Sequence, residues 1–306
     1  MVAGYWPGFG LYAKVWVWRA GGYAVKFGIS LFFTEGSVRP RVLAPELERR
    51  AFESVWSGEH SHIPALLTSA PPPTGVKKWY YEVMDPFVTL TAAAMATTTL
   101  KIGTGVCLIP QRDPIQTAKL VASIDRVSGG RFLFGVGNGW NRAEIENHAT
   151  VFKTRHKKAR ESIEAMKIIW NSSSAEYHGE IVRFDPMMAW PKPVQKPHPP
   201  ILVGGSFPYS ARRAISYRTG WLPSTLAGKN DILEEIPLFR QMAVEAGRDP
   251  ASLPITVWYP PRDLELMKKY RDVGVERVVF SVPSEPEAAV MPHLDQIGAV
   301  MAGVGG

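Results

Sequence analysis

Residues 101–137 read KIGTGVCLIPQRDPIQTAKLVASIDRVSGGRFLFGVG, and this stretch decides the fold. A buried-strand pattern opens it at residues 101–108, and a second one closes it at residues 131–136. A helix with clear start and stop signals lies between the two. A strand, a helix and a strand in this order form a βαβ unit, in which the strands are parallel and the crossover is right-handed.

The helix between these strands is marked at both ends. Asp113 is a good N-cap and Pro114 fits the first helical position, while Gly129-Gly130 supplies a left-handed stop. The apolar face recurs at helical spacing and comprises Ile115, Ala118, Val121, Ala122 and Val127. Local chemistry therefore predicts the boundaries of the unit as well as its existence.

Strand and helix patterns alternate on both sides of this unit. Further strands are predicted at residues 26–33, 54–58, 200–203, 221–222, 255–258 and 277–281. Further helices are predicted at residues 45–52, 154–170, 209–219, 231–246, 263–273 and 286–301, and Pro237 is expected to break the fourth of these. Strands that alternate with helices to the end of the chain favour a closed α/β (β/α)8 TIM barrel over an open doubly wound sheet.

Two long segments interrupt the alternation. Residues 60–86 form a polar, proline-rich loop after the second strand, and residues 171–199 form an irregular insertion before the fifth strand. Long loops inside a compact domain are usually functional, and loops that follow barrel strands line the active-site face. We therefore expect the functional site near the carboxyl ends of the strands.

Composition limits the classes of partner. The formal net charge is +7, but the basic residues are scattered. The densest run, residues 155–158, is interpreted as a solvated helix face, because Glu161 and Glu164 follow it, and no nucleic-acid partner is expected. Cys107 is the only cysteine, which excludes an internal disulfide and fits a cytoplasmic protein. No run of about 18 apolar residues predicts a membrane span.

Residues 1–25 differ from the rest of the chain. They are rich in aromatic residues and carry no small-residue cleavage site, so they do not read as a signal peptide. We interpret them as an extension outside the barrel domain, residues 26–306. As a hypothesis, the natural chain begins near Val25 or Lys26.

Polar residues follow the second strand in the order Glu59, His60, Ser61, His62. An imidazole at the barrel mouth can hydrogen-bond to a bound heteroaromatic ring or exchange protons with it, so His60 is the candidate catalytic residue. Glu59 and His62 are candidates for the substrate pocket. No metal site is predicted, because no third ligand accompanies the two histidines.

Three glycine-rich segments are candidates for binding a cofactor. Residues 103–106 would let a flat ring approach the backbone. Residues 135–142 are not a dinucleotide fingerprint, because Trp140 stands where the third glycine belongs, yet they bring Asn141 to the mouth. Gly204, Gly205 and Ser206 join a strand to a helix and form a candidate anion cradle. Trp79, Tyr80 and Trp140 are candidates for an apolar wall beside the substrate.

These segments together resemble a known family. Their order matches the luciferase-like flavin and coenzyme F420 oxidoreductases over about residues 26–300, and is most similar to the probable F420-dependent members. The matching motifs are Glu59-His60, residues 101–106, Asp113-Pro114, residues 128–132, residues 135–142, residues 190–193 and residues 199–205. The resemblance implies a TIM barrel with the insertion before its fifth strand, and pairing of two copies through their helices.

The resemblance also implies roles for individual residues. His60 would lie near the deazaflavin ring, Gly105-Val106 would be a non-proline cis peptide that supports the ring, and Gly204, Gly205 and Ser206 would bind its phosphate. The acid that sugar-phosphate dehydrogenases of this superfamily carry after the fourth strand has no match, since Trp140 occupies the nearest position. Asn141 and Glu144 are candidate replacements, and a sugar phosphate is a poor candidate substrate.

The expected function is hydride transfer between coenzyme F420 and a small organic substrate. A monooxygenase using flavin mononucleotide (FMN) on the same fold stays open, as does a protein that only binds the cofactor. A phosphosugar isomerase or aldolase is disfavoured, because Lys101 begins its strand at the wrong end of the barrel.

Deleting residues 1–24 is predicted to leave folding and activity intact, because the barrel pattern begins after them. Soluble yield and the unfolding transition of the shortened chain check this, and loss of soluble protein would contradict it.

Overall fold

The computed structural model describes residues 24–65, 77–226 and 231–304. The predicted extension, residues 1–25, lies outside these ranges apart from its last two residues, and its separation from the barrel stays a prediction. Everything below concerns the described ranges.

Strands and helices alternate along the chain. The strands are β1 Lys26–Leu31, β2 Ser54–Ser57, β3 Lys101–Thr104, β4 Cys107–Leu108, β5 Phe132–Gly137, β6 Ala175–His178, β7 Arg183–Met187, β8 Ile201–Gly204, β9 Gly220–Leu222, β10 Thr256–Trp258 and β11 Arg277–Ser281. The helices are α1 Pro40–Arg49, α2 Trp79–Glu82, α3 Pro86–Met95, α4 Pro114–Val127, α5 Arg142–Asn147, α6 Arg155–Asn171, α7 Tyr209–Tyr217, α8 Ile232–Glu245, α9 Leu264–Asp272 and α10 Glu287–Val304. None of the described helices is long and apolar enough to cross a membrane.

Eight strand positions form a parallel barrel. Hydrogen-bonded neighbours run in the order β10-β11-β1-β2-β3-β5-β8-β9, and β4 continues the position of β3 by pairing with β5. Parallel bridges from Trp221 to Ile255 and from Ser224 to Trp258 join β9 to β10 and close the ring. The predicted (β/α)8 barrel is confirmed.

One barrel helix is absent from the sequence-based prediction. α3 begins at Pro86, and the side chain of Asp85 caps it by accepting hydrogen bonds from the amides of Phe87 and Val88. This is the same start signal as Asp113-Pro114. Periodicity does not predict the helix, because its sequence PFVTLTAAAM contains no charged residue to mark a solvent face.

Three further boundaries differ from the prediction. The strand predicted at residues 101–108 is two strands, because the backbone leaves the ladder after Thr104 and rejoins it at Cys107. α1 begins at Pro40 instead of residue 45, with Pro40 in its first turn. Pro237 does not break α8, which is continuous. Pro237 is the sixth residue of α8, so the helix stays continuous although it lacks the hydrogen bond that an amide at this position would donate.

The insertion at residues 171–199 is less irregular than predicted. β6 and β7 form an antiparallel hairpin within it. The carboxylate of Glu161 on α6 accepts hydrogen bonds from the amides of Ile181 (2.8 Å) and Val182 (2.9 Å), which fastens the hairpin to the helix. The insertion therefore covers the outside of the barrel, where it contacts α6.

Two indole rings fill the barrel interior below its mouth. Trp56 and Trp258 pack edge to face, with ring centroids 5.5 Å apart. A Cβ atom on Gly103 would lie 2.3 Å from the Trp56 ring, and one on Gly105 would lie 2.1 Å from the Trp258 ring. Both positions therefore require glycine, and the third strand position can pass close to the barrel axis.

A buried ion pair closes the opposite end of the barrel. The guanidinium of Arg277 donates two hydrogen bonds of 2.7 Å to the carboxylate of Glu53. Burial alone would raise the pKa of Glu53, but the hydrogen bonds and charge of Arg277 outweigh it and lower the pKa to about 2. The pair joins β11 to the residue before β2.

Replacing Glu53 with Gln is predicted to destabilise the fold by about 3 kcal/mol at pH 7, because Arg277 would keep its charge in a buried site without a full partner. The pKa of Glu53 is lowered on folding from 4.5 to about 2, so its contribution is present above pH 4.5 and is lost as the pH falls toward 2. Urea unfolding of both proteins between pH 7 and pH 3 measures this. The exposed pair of Glu265 and Lys268 provides a control, since Glu265→Gln should change stability by less than about 0.5 kcal/mol. Equal stability of E53Q and the original protein at pH 7 would contradict the prediction.

Candidate active site

The carboxyl ends of the parallel strands meet at one mouth of the barrel, as a βα barrel requires. The segments after β2, β3, β5 and β8 all contain residues that the sequence marks as candidates. The structure shows which of these residues meet.

The peptide bond between Gly105 and Val106 is cis, as the resemblance implies. The amide of Gly105 donates a 2.7 Å hydrogen bond to the carbonyl of Ser57, which ties the segment to the end of β2. The Val106 side chain lies against Gly137 and Gly204, where added Cβ atoms would come within 2.4 Å and 3.1 Å of it. The peptide therefore spans the mouth between the ends of β2, β5 and β8.

His60 is buried at this mouth and held by a buried acid. Its Nδ1 lies 2.9 Å from Oε2 of Glu144. A carboxylate only accepts hydrogen bonds, so Nδ1 carries the proton. The amide of Ser61 donates to the other oxygen of Glu144 at 3.1 Å. The orientation of His60 is therefore fixed, and its Nε2 has no hydrogen-bond partner among the described residues.

The structure also explains how Glu144 reaches this position. Asn141 caps α5, and its Oδ1 accepts a 3.3 Å hydrogen bond from the amide of Glu144. The cap starts the helix so that Glu144 points inward and is fully buried. The Nδ2 of Asn141 is buried and has no partner among the described residues, which leaves one donor for a ligand.

Two aromatic rings flank His60. Tyr80 contacts it edge to face at 4.9 Å and Trp140 at 5.9 Å between ring centroids. Burial raises the pKa of the Tyr80 hydroxyl. Of the three aromatic residues predicted to line a wall, Tyr80 and Trp140 lie beside His60, whereas Trp79 packs with Lys77.

Glu59 points away from His60. One of its oxygens accepts from the Leu108 amide at 2.6 Å, and the other accepts from Nε of Arg112 at 2.6 Å. Arg112 also pairs with Asp85 at 2.7 Å, ahead of α3. Glu59 thus anchors the chain that follows the cis peptide, and both of its oxygens are occupied.

His62 lies further out, in a chain of polar contacts. Asn147 donates to His62 Nε2 at 2.8 Å, and Ser61 Oγ contacts His62 Nδ1 at 2.9 Å and His148 Nε2 at 2.6 Å. Burial, followed by the charge of His62, lowers the pKa of His148. Within the described ranges, no group of three or more His, Cys, Asp or Glu side chains is placed to hold a metal ion.

The turn after β8 contains the residues that the sequence predicts to bind an anion. Gly205 has φ 124°, a conformation that favours glycine. Ser210 Oγ donates to the Gly205 carbonyl at 2.7 Å and accepts from the Trp221 indole at 2.9 Å, which fixes the turn to β9. α7 begins at Tyr209, as the sequence predicts, so two residues separate Ser206 from the helix.

Two features of the site could not be predicted from the sequence. The first is the pairing of Glu144 with His60, which are separated by 84 positions in the sequence. The sequence marks Glu144 only as a candidate replacement for the acid that sugar-phosphate dehydrogenases carry after the fourth strand. Gln111 is buried and its Nε2 has no partner among the described residues, yet no sequence signal marks it. Its amide lies 3.9 Å from the Cβ position of Gly139, beside the loop that leads to Trp140.

Comparison with known proteins places this site in a family. The model of the luciferase-like monooxygenase family matches residues 37–261. The chain belongs to this family. An uncharacterised protein of Mycobacterium tuberculosis is 34% identical to this luciferase-like chain over 286 residues, which covers 90% of the chain and 98% of that protein.

Relatives of the luciferase-like chain differ in cofactor. An F420-dependent hydroxymycolic acid dehydrogenase of Mycobacterium tuberculosis is 28% identical over 69% of the chain and 55% of that enzyme. An FMNH2-dependent dimethylsulfone monooxygenase of Pseudomonas putida is 34% identical over 44% of the chain and 38% of that enzyme. A solved F420-dependent secondary alcohol dehydrogenase has the same fold, with a TM-score of 0.69, 18% identity and coverage of 92% of the chain and 99% of that structure. The protein is an oxidoreductase of a family that includes both cofactor classes.

Replacing Glu144 with Ala is predicted to release His60 from its single tautomer, because Nδ1 would lose its acceptor. Nitrogen-15 NMR of the imidazole measures this: the original protein should show the Nδ1-protonated form, and E144A should show a mixture. The Ser61 amide would also lose its partner. The free energy of unfolding of E144A, measured in urea, should therefore be about 2 kcal/mol lower than that of the original protein.

Glu146 supplies the control, since it lies on the same helix in an exposed pair with Arg142. Glu146→Ala should leave the His60 tautomer unchanged. An unchanged tautomer in E144A would show that the carboxylate does not hold the imidazole.

Proposed function

We propose that the protein is a coenzyme F420-dependent oxidoreductase that transfers a hydride between the deazaflavin and a small organic substrate. The observation that carries this proposal is that the buried His60–Glu144 pair and the cis Gly105-Val106 peptide lie at the same barrel mouth. The F420-dependent relative from Mycobacterium tuberculosis supports the choice of cofactor, because its similarity extends over 69% of the chain.

The residues at the mouth fit such a cofactor. Gly105 and Val106 offer a flat, apolar support for a fused ring, and the free amide of Asn141 offers a donor to a ring carbonyl. The cradle formed by Gly204, Gly205 and Ser206 suits a phosphate. When bound, the deazaflavin supplies the two-electron chemistry, and the protein supplies binding and orientation.

The residues of the chain perform the remaining tasks. Glu144 keeps the His60 proton on Nδ1, so Nε2 is the atom that can accept or release the proton that accompanies a hydride transfer. Tyr80 and Trp140 pack edge to face on the imidazole and provide it with apolar neighbours. Glu59 acts as a positioning residue, because its bonds hold the segment after the cis peptide.

An FMN-dependent monooxygenase is the second candidate. FMN also carries a tricyclic ring and one phosphate, and the same support and cradle fit both groups. The FMNH2-dependent relative from Pseudomonas putida favours this alternative, although the chain matches only 38% of that enzyme. A protein that binds the cofactor without turnover would use the same contacts.

Titration of the purified protein with coenzyme F420 and, separately, with FMN tests the proposal through ring fluorescence. We expect F420 to bind at least about 10-fold more tightly than FMN, a difference of about 1.4 kcal/mol. The variant Trp140→Phe should bind both cofactors as the original protein does, because it keeps the aromatic wall.

The opposite preference would replace the proposal. Tighter binding of FMN, together with oxygen consumption by the reduced flavin, would identify a monooxygenase. F420 could also bind tightly and yet not be reduced by any of a panel of alcohols, nor its reduced form be reoxidised by any of a panel of carbonyl compounds. That result would favour a protein that only binds the cofactor. Binding of neither cofactor would contradict the proposal.

A further inference from the structure

A cluster of basic side chains lies beside the anion cradle, and the proposed function does not use it. Arg155 and His156 begin α6, and Arg213 lies one turn into α7. Burial lowers the pKa of His156, and the charges of Arg155 and Arg213 lower it further. Burial also lowers the pKa of Arg213, and the charge of Arg155 lowers it further. The three side chains, here called the basic cluster, therefore lie within electrostatic reach of one another.

No carboxylate balances this charge. Among the described residues, Arg155 and Arg213 form no ion pair, and the Nε atom of each is buried without a hydrogen-bond partner. Arg155 is instead held over the Phe152 ring, with its guanidinium 3.8 Å from the ring centroid and one donor on the Phe152 carbonyl at 2.9 Å. By contrast, Arg160 on the same helix faces Glu164 at 3.9 Å.

The basic run at residues 155–158, interpreted from the sequence as a solvated helix face, also contacts neighbouring loops. His156 Nδ1 accepts a 2.6 Å hydrogen bond from Asn138, the residue after β5. Lys158 donates to the Pro110 carbonyl at 2.9 Å and to Thr150 at 2.6 Å. The first turn of α6 is therefore partly exposed, and it contacts the end of β5 through His156 and the segment after β4 through Lys158.

The basic cluster adjoins the cradle directly. Nη2 of Arg213 lies 3.2 Å from the position that a Cβ on Gly205 would occupy. Arg213 thus faces the turn after β8, while the contact with Asn138 places His156 at the end of β5. Arg155 is further along, at the start of α6. Arg213 is therefore the member of the cluster that contacts the turn after β8.

We propose that the basic cluster is a second anion site, which binds a negatively charged group that extends beyond the phosphate of the ligand in the cradle. Arg213 would contact the phosphate itself, and Arg155 and His156 would contact the further anionic group. Unpaired guanidinium groups bind phosphate and carboxylate oxygens through charge-assisted hydrogen bonds. The identity of the ring rests on the proposed function, whereas the anion site rests on the cluster alone.

The two candidate cofactors can be used to separate the role of Arg213 from the role of Arg155. Coenzyme F420 carries a phosphate and, beyond it, a tail with carboxylates, whereas FMN ends at its phosphate. Arg155→Met should weaken F420 binding about 10-fold and FMN binding less than about 3-fold. Arg213→Met should weaken the binding of both by about 10- to 100-fold. Methionine retains the apolar stem of each arginine, and the melting temperature of the unliganded R155M reports the loss of the guanidinium contacts with Phe152.

Fluorescence titrations of R155M, R213M and the double variant measure these changes. Arg212→Met is the matched control, because Arg212 is the exposed neighbour of Arg213 and has no part in the cluster. The double variant should also reduce the salt dependence of F420 binding, since fewer charges take part. Its melting temperature without ligand should be equal to that of the original protein or higher, because a repulsion between like charges is removed.

A separate probe keeps this proposal distinct from the proposed function. Inorganic pyrophosphate carries two linked anionic groups and no ring, and it should raise the melting temperature of the original protein but not of the double variant. If neither cofactor binds, the proposed function fails, and this pyrophosphate difference would still support the anion site. Unchanged F420 binding in the double variant would overturn the anion site. So would the absence of any pyrophosphate difference in a protein that binds neither cofactor.

Discussion

The packing of two indole rings inside the barrel is the constraint on which the rest of the site depends. Trp56 and Trp258 leave no room for a Cβ at Gly103 or Gly105, so the backbone of the third strand position lies directly against the rings. This brings the cis Gly105-Val106 peptide across the mouth. Because Val106 lies against Gly137 and Gly204, the same layer of contacts links the peptide to the ends of β5 and β8. The interior packing of the barrel thus sets the distance between the cis peptide and the turn after β8.

A second set of contacts positions the His60 imidazole above this layer. Two acids in the neighbouring loops have separate roles. Glu144 is fully buried, receives the Nδ1–H of His60 and the amide of Ser61, and owes its direction to the Asn141 cap. Glu59 precedes His60 in sequence, but it turns to Arg112 and holds the segment that follows the cis peptide. The loops after β2, β3 and β5 are therefore fastened to one another by buried carboxylates.

Much of the fold could be predicted from local chemistry. The Asp113 cap, Pro114 and the paired glycines at residues 129–130 mark a βαβ unit without tertiary information, and the alternation of strands and helices predicts the barrel. α3 could not be predicted from periodicity, because a helix without charged residues has no clear solvent face in its sequence. Glu144, which holds His60, lies on α5, and Gly205, which Arg213 faces, lies in the turn after β8. Pairings of this kind depend on how the strand ends meet in space, and no sequence spacing encodes them. The cis peptide was expected only through the family resemblance.

The central claim is that the interior packing places a ring support, a fixed imidazole and an anion cradle at one mouth for a single ligand. A crystal structure of the protein soaked with coenzyme F420 tests this most directly. We predict that the ring lies against Gly105-Val106 with His60 beside it, and that the phosphate contacts Gly204, Gly205 or Ser206. A ring bound away from the Gly105-Val106 peptide, or a phosphate outside the cradle, would contradict the account.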